Sequence, residues 1–301
     1  MKNMNKYEDC LLCPRKCGIN RSTGQTGVCG VSSEIKVARA ALHYWEEPCI
    51  SGKKGSGAVF FSGCSLHCVF CQNREISDGK EGKVISKERL SDIFIELADK
   101  GANNINLVTP GQYIPDIVWA VNEAKSRGMK LPIIYNTSGY ENVTELKLLE
   151  GIVDVYLPDF KYMDSTLSAM YSRAKDYPSV AKQALSEMVR QQPDVVIDDA
   201  TGLIQKGVIV RQLLLPGHVN DAKAVLKYLY DTYHDHVYIS MMSQFTPIAL
   251  KDYPEINRTV TRREYERLVD YALKIGITNA FIQEGDVAKD SFIPAFDCEG
   301  V

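Results

Sequence analysis

The 301-residue chain predicts an α/β fold on a mainly parallel sheet, with a small cysteine-rich module ahead of it. Short apolar runs suited to strands recur about six times, and stretches with helical spacing separate them. The runs are apolar on both faces, as parallel strands covered by helices must be. Ahead of them, four of the nine cysteines crowd into residues 10–29 among glycines. Such an alternation suits either a barrel or a doubly wound sheet.

Residues 1–50 make up the module, with turns at Gly18, Gly24, Gly27 and Gly30. Strands are expected at 58–62, 104–109, 132–136, 153–157, 208–215 and 237–241. Between the first two, Leu90, Ile93, Phe94 and Leu97 share one helical face. A helix over 180–191 precedes Asp194-Val-Val-Ile-Asp-Asp-Ala-Thr-Gly202, which reads as a turn-containing insertion. Asn220 is placed to cap a helix burying Ala222, Val225, Leu226 and Leu229. Thr261-Arg-Arg-Glu264 has the form of a capping box, followed by the stripe Tyr265, Leu268, Val269 and Ala272. The parallel unit thus spans 51–275, and residues 276–301 form a C-terminal extension packed on it.

A net charge of −3 offers no electrostatic footprint for nucleic acid or anionic membrane. No apolar run approaches the roughly 20 residues that a membrane helix needs. The first residues lack the apolar stretch of a secretory signal. A cytoplasmic, reducing location is therefore expected, where clustered cysteines serve metals or catalysis rather than disulfides. The odd count of nine agrees with that. Cys49 and Cys298 stand apart, and Cys49 reads as a buried free thiol.

The second cysteine group is Cys64-Ser-Leu-His-Cys68-Val-Phe-Cys71, directly after the first expected strand and its Gly63. It supplies three thiolates and no fourth. A structural zinc site wants four ligands, whereas a four-iron cluster held at three corners keeps one iron open to a small molecule. Phe70 places a ring beside such a cluster. His67 reads as a solvated side chain rather than a ligand, and Met241 with Met242 as packing.

The pattern C-x3-C-x-aromatic-C after a first strand resembles the radical S-adenosylmethionine (SAM) superfamily. Four further stretches resemble the uncharacterised relatives of pyruvate formate-lyase activating enzyme. They are Phe61-Ser-Gly-Cys-Ser-Leu-His-Cys-Val-Phe-Cys-Gln-Asn, Ile134-Tyr-Asn-Thr-Ser-Gly, Leu157-Pro-Asp-Phe-Lys and Val210-Arg-Gln-Leu-Leu-Leu-Pro-Gly. Leu12-Cys-Pro-Arg-Lys-Cys-Gly-Ile-Asn-Arg and Trp45-Glu-Glu-Pro-Cys-Ile-Ser-Gly fit the same group. The resemblance implies a partial (β/α)6 TIM-type barrel. It also implies a [4Fe-4S] cluster on Cys64, Cys68 and Cys71, with SAM chelated at the open iron. Reductive cleavage of SAM would give a 5′-deoxyadenosyl radical that takes a hydrogen from the substrate. The electron would come from an external donor of flavodoxin or ferredoxin type.

Further positions follow from the same resemblance. Asn136 and Thr137 end the third expected strand, and Asp159 with Lys161 follow the fourth, where the activating enzymes hold SAM and a monovalent cation. Asn136 stands where those enzymes carry aspartate, which leaves Asp159 as the cation's carboxylate. Thr109 would offer backbone groups to the SAM amine, Arg211 would meet a carboxylate of SAM or substrate, and Gln244 would give SAM a polar contact. The implied target is a glycine of a partner protein, with a small molecule or peptide as the alternative. A different class is a non-enzymatic iron–sulfur or zinc protein for electron transfer or interaction. The spacing Cys10-x2-Cys13-x3-Cys17-x11-Cys29 offers a closed set of four thiolates, suited to zinc or to a second iron–sulfur cluster.

Overall fold

The computed structural model describes residues 6–248, 250–283 and 294–301. Its strands are β1 (Ile35–His43), β2 (Ser56–Phe61), β3 (Lys83–Ile85), β4 (Ile105–Val108) and β5 (Ile133–Thr137), then β6 (Val155–Pro158), β7 (Val196–Ile197), β8 (Ile204–Leu213), β9 (Tyr238–Met242) and β10 (Ala280–Ile282). The sheet runs β10-β9-β8-β6-β5-β4-β2-β1-β3. From β2 to β10 every neighbouring pair along it is parallel. Each parallel strand lies beside the one before it in sequence, with no reversal of order. A doubly wound sheet reverses at a switch point and a barrel does not. The winding is that of a partial barrel, as the resemblance implied.

All six expected strands are present as β2, β4, β5, β6, β8 and β9. Residues 35–43, read as part of the N-terminal module, instead form β1, antiparallel to β2 and burying Val37, Ala38 and Ala40. Beyond it the C-terminal tail continues the edge, Ala40 donating to the Glu299 carbonyl at 2.8 Å and Cys298 to the Ala38 carbonyl at 3.0 Å. Strand β8 starts four residues earlier than expected. There β7 pairs with it antiparallel, so the expected turn-containing insertion is a short ribbon. A Cβ on Gly207 would lie 2.7 Å from Val195 Cα, which is why glycine stands at that crossing.

The helices that matter for the site are α1 (Pro48–Ser51), α2 (Arg74–Ser77), α3 (Lys87–Asp99), α4 (Ile114–Ser126), α5 (Val143–Leu146), α6 (Ser165–Ser172), α7 (Tyr177–Gln191), α8 (Val219–Tyr233) and α9 (Arg262–Ile275). In α3 the Ser86 hydroxyl accepts from the Arg89 N–H, and Leu90, Ile93, Phe94 and Leu97 are buried. The capping box of α9 forms as read, with Gly276 ending the helix in a left-handed turn. The cap expected of Asn220 does not form. His218 occupies that position without capping the helix, its Nε2 meeting the Tyr171 hydroxyl at 3.0 Å instead, and Asn220 lies inside the first turn. Asp221 fixes this end instead, accepting from the N–H groups of Met163 and Asp164 at 3.1 and 2.8 Å. Most buried residues of strands and helices belong to one continuous core. Among the described residues no helix is long and apolar enough to cross a membrane.

Candidate active site

Carboxyl ends of the parallel strands open onto a cavity of about 590 Å³. Cys64, Cys68 and Cys71 line it from the loop after β2, and Phe70, Thr109, Asn136, Thr137, Asp159, Lys161, Arg211 and Gln244 line it as well. Residues spread over 181 positions therefore share one wall, because every strand end points the same way. His67 takes no part. Its Nε2 lies 2.5 Å from the Val28 carbonyl.

The three thiols sit in a structured loop. Cys64 Sγ accepts the Leu66 N–H at 3.4 Å, and Cys68 Sγ accepts the Ser172 hydroxyl at 3.0 Å. Burial, with Cys64 and Cys68 close by, pushes the Cys71 thiol up to about 12. Among the described residues no three Cys, His, Asp or Glu side chains already stand as a closed ligand set. No fourth thiol lines this cavity, so the donor set fits a cluster with one corner left for a small molecule. The volume suits a ligand of drug or nucleoside size.

Around the cavity several polar side chains are already paired. Lys161 Nζ donates to Asp159 Oδ2 at 2.5 Å. Burial opposes the ammonium charge, but Asp159 and the Cys68 thiol hold its pKa above the ordinary value. Thr109, a β-branched residue, adopts φ 56°, and its N–H donates to the Asn136 carbonyl at 2.9 Å. That left-handed backbone is rare for such a side chain and marks a strained strand end. Thr137 donates its hydroxyl to Glu141. Gln244 accepts from Gln283 Nε2 at 2.9 Å. Phe70 is buried against Phe245 and Tyr171, with ring centroids 5.7 and 6.5 Å away.

Arg211 has partners that the residue reading did not assign. Its Nε and Nη2 grip the Glu47 carboxylate at 2.8 and 2.6 Å, and Nη2 also donates to Glu46. Burial works against the Glu47 charge, yet Arg211 holds its pKa below the ordinary glutamate value. Asn106 and Asn136 amides donate to Glu46 Oε1 at 2.8 and 3.5 Å. Glu46 and Glu47 immediately precede α1 and belong to the quoted Trp45-Glu-Glu-Pro-Cys stretch. That stretch was the available signal. Two adjacent glutamates before a proline otherwise read as a solvated turn.

Residues 58–205 match the model of the Radical SAM superfamily. This segment belongs to the radical SAM superfamily. It contains the three-cysteine loop and the ends of β2, β4, β5 and β6, and the superfamily's cofactors are a [4Fe-4S] cluster and SAM. An uncharacterized protein of Methanocaldococcus jannaschii is 28% identical over 281 residues, covering 91% of this chain and 77% of its own. Among solved structures, SuiB of Streptococcus suis bound to S-adenosylmethionine is 13% identical with a TM-score of 0.49, over 74% of this chain and 48% of that one. HydG, a maturase of the [FeFe]-hydrogenase, is 16% identical with a TM-score of 0.48, over 71% and 48%. The chain thus spans about half the length of these solved structures.

Proposed function

We propose that the chain reductively cleaves SAM and uses the resulting 5′-deoxyadenosyl radical to take a hydrogen from a glycine of a partner protein, as activating enzymes do. One observation carries the reading: three thiols on one loop face a cavity that no other thiol lines, at the shared end of the parallel strands. The cluster, when bound, supplies the electron and an open iron for SAM. The residues of the chain have other tasks. Cys64, Cys68 and Cys71 would hold the cluster, and Phe70 would keep water from it. Thr109, Asn136, Thr137, Asp159, Lys161 and Gln244 line the space for SAM and orient it. Arg211, clamped by Glu47, keeps its direction without reorganising when ligands arrive.

A macromolecular target is favoured because the barrel is open and its mouth carries exposed aromatics. Trp45 lines the cavity at 58% exposure, and its neighbour Tyr44 is 50% exposed. Large aromatics at a rim suit a protein surface. The reductant is of flavodoxin or ferredoxin type in this reading.

Anaerobic reconstitution followed by dithionite and SAM tests it. The wild-type protein should release 5′-deoxyadenosine, and Cys68→Ala should lose both the cluster and that product. A fully loaded cluster that yields no 5′-deoxyadenosine would leave the chain a non-enzymatic iron–sulfur protein. A glycyl-type electron paramagnetic resonance signal on a co-purifying partner would identify the target class. Product release without a protein radical would point to a small molecule or peptide.

A further inference from the structure

Cys10, Cys13, Cys17 and Cys29 are outside the SAM cavity, yet they share a wall with it. All four line a second, small space of about 20 Å³, which Thr109 and Thr137 at the ends of β4 and β5 also line. That volume admits roughly one water-sized atom. The packing is tight by construction. A Cβ on Gly27 would lie 2.8 Å from Cys17 Sγ. The Val28 N–H points at Cys17 Sγ at 3.5 Å, and Arg21 Nη1 at Cys10 Sγ at 3.8 Å.

Arg21 is the second observation. It is 1% exposed and lies between the rings of Tyr7 and Tyr113, 5.0 and 5.7 Å from their centroids. Its remaining donors reach the carbonyls of Val31, Gln112 and Ser32 at 3.2, 2.8 and 2.5 Å. Among the described residues it makes no ion pair. The nearby Glu141 carboxylate is engaged with Thr137. A guanidinium this deeply buried needs a negative charge beside it. Four thiolates around a divalent ion supply a net charge of about −2 at that place.

We propose that Cys10, Cys13, Cys17 and Cys29 form a tetrathiolate zinc site that braces the loop carrying Cys64, Cys68 and Cys71. Four thiolates suit either metal group, and the space for a single atom favours one ion over a four-iron cube. The sulfurs do not yet stand as a closed set, although all four line the same space. Bracing follows from the contacts between the two groups. Arg15, between Cys13 and Cys17, donates Nε to the Ser65 carbonyl at 2.8 Å and Nη2 to the Ser172 carbonyl at 3.2 Å. Ser172 in turn holds Cys68. The Val28 carbonyl meets His67, and a Cβ on Gly63 would lie 2.7 Å from the Cys29 carbonyl oxygen. Zinc therefore sets the position of the ring of contacts that holds the cluster loop.

The test counts metals in the full-length protein purified anaerobically, and does not depend on SAM cleavage. About one zinc beside about four irons per chain is expected, with zinc-edge absorption reporting four sulfurs at about 2.3 Å. About eight irons without zinc, zinc with nitrogen or oxygen ligands, or no second metal would each overturn the zinc site. Cys17→Ser should lose zinc and release iron to a chelator about tenfold faster. Arg15→Gln should keep zinc and also release iron faster. An unchanged iron release rate in Arg15→Gln would reject the brace. The wild-type absorption measurement stands even if Cys17→Ser fails to fold.

Discussion

Arg211 shows how much one side chain decides in this cavity. Its side chain is 12% exposed and those of Glu46 and Glu47 are 9% and 5%, so two carboxylates and one guanidinium leave water together. Removing the guanidinium leaves both carboxylates buried without a counter-charge. Arg211→Met should destabilise the fold by about 3–5 kcal/mol, read as a lower urea midpoint. Adding Glu47→Gln to that variant should recover part of the loss. Recovery of nothing would mean that the pair is not what holds this corner. The same pairing sets an acid limit. The folded pKa of Glu47 lies below its ordinary value of 4.5, so its contribution is complete above that value and disappears as pH falls through the folded pKa. Wild-type stability should fall more steeply than that of Glu47→Gln when urea midpoints are compared between pH 6 and about pH 3.

At the scale of elements, two helices of similar length end differently. In α9 Thr261 and Glu264 exchange both bonds of a capping box, and Glu264 also takes the Gly217 N–H and Arg258. Thr261→Ala should cost about 1 kcal/mol, seen as a shifted urea midpoint at constant slope. In α8 the comparable substitution Asn220→Ala should stay within about 0.5 kcal/mol, because Asn220 is exposed inside the first turn. A loss of 1 kcal/mol at Asn220 would show that it caps the helix in solution. Cap chemistry was legible at Thr261 because the box is a local, four-residue pattern. At Asn220 it misled, because the helix start is held by Asp221 reaching across to residues 163 and 164, a contact that periodicity does not contain.

Over the whole molecule, the parallel strands and most of the cavity lining were legible from apolar runs and the residues after them. Strand β1 was not. Its Ile-Lys-Val-Ala-Arg-Ala-Ala-Leu-His sequence alternates poorly and follows a glycine-rich, cysteine-rich segment, and only its pairing with β2 makes it a strand. The meeting of the two cysteine groups was also out of reach, since it depends on the chain folding back over the β4 and β5 ends. Gly63 sits at that junction with φ 90°. Gly63→Ala should cost about 1–3 kcal/mol through backbone strain, and should speed iron loss by separating the loop from Cys29. Stability unchanged on a calorimetric scan would show that the junction yields.

By itself the sequence determined the parallel α/β class, the three-cysteine loop after the first parallel strand, and the four-cysteine group. Spacing and hydrophobic period are local properties, and ligand sets drawn from one loop are local too. Tertiary structure alone decided that Arg211 faces Glu46 and Glu47 across some 164 positions, and that the two cysteine groups share a wall. Those are encounters between distant segments, and the energy that fixes them comes from burying charge and packing backbone closely where strands end.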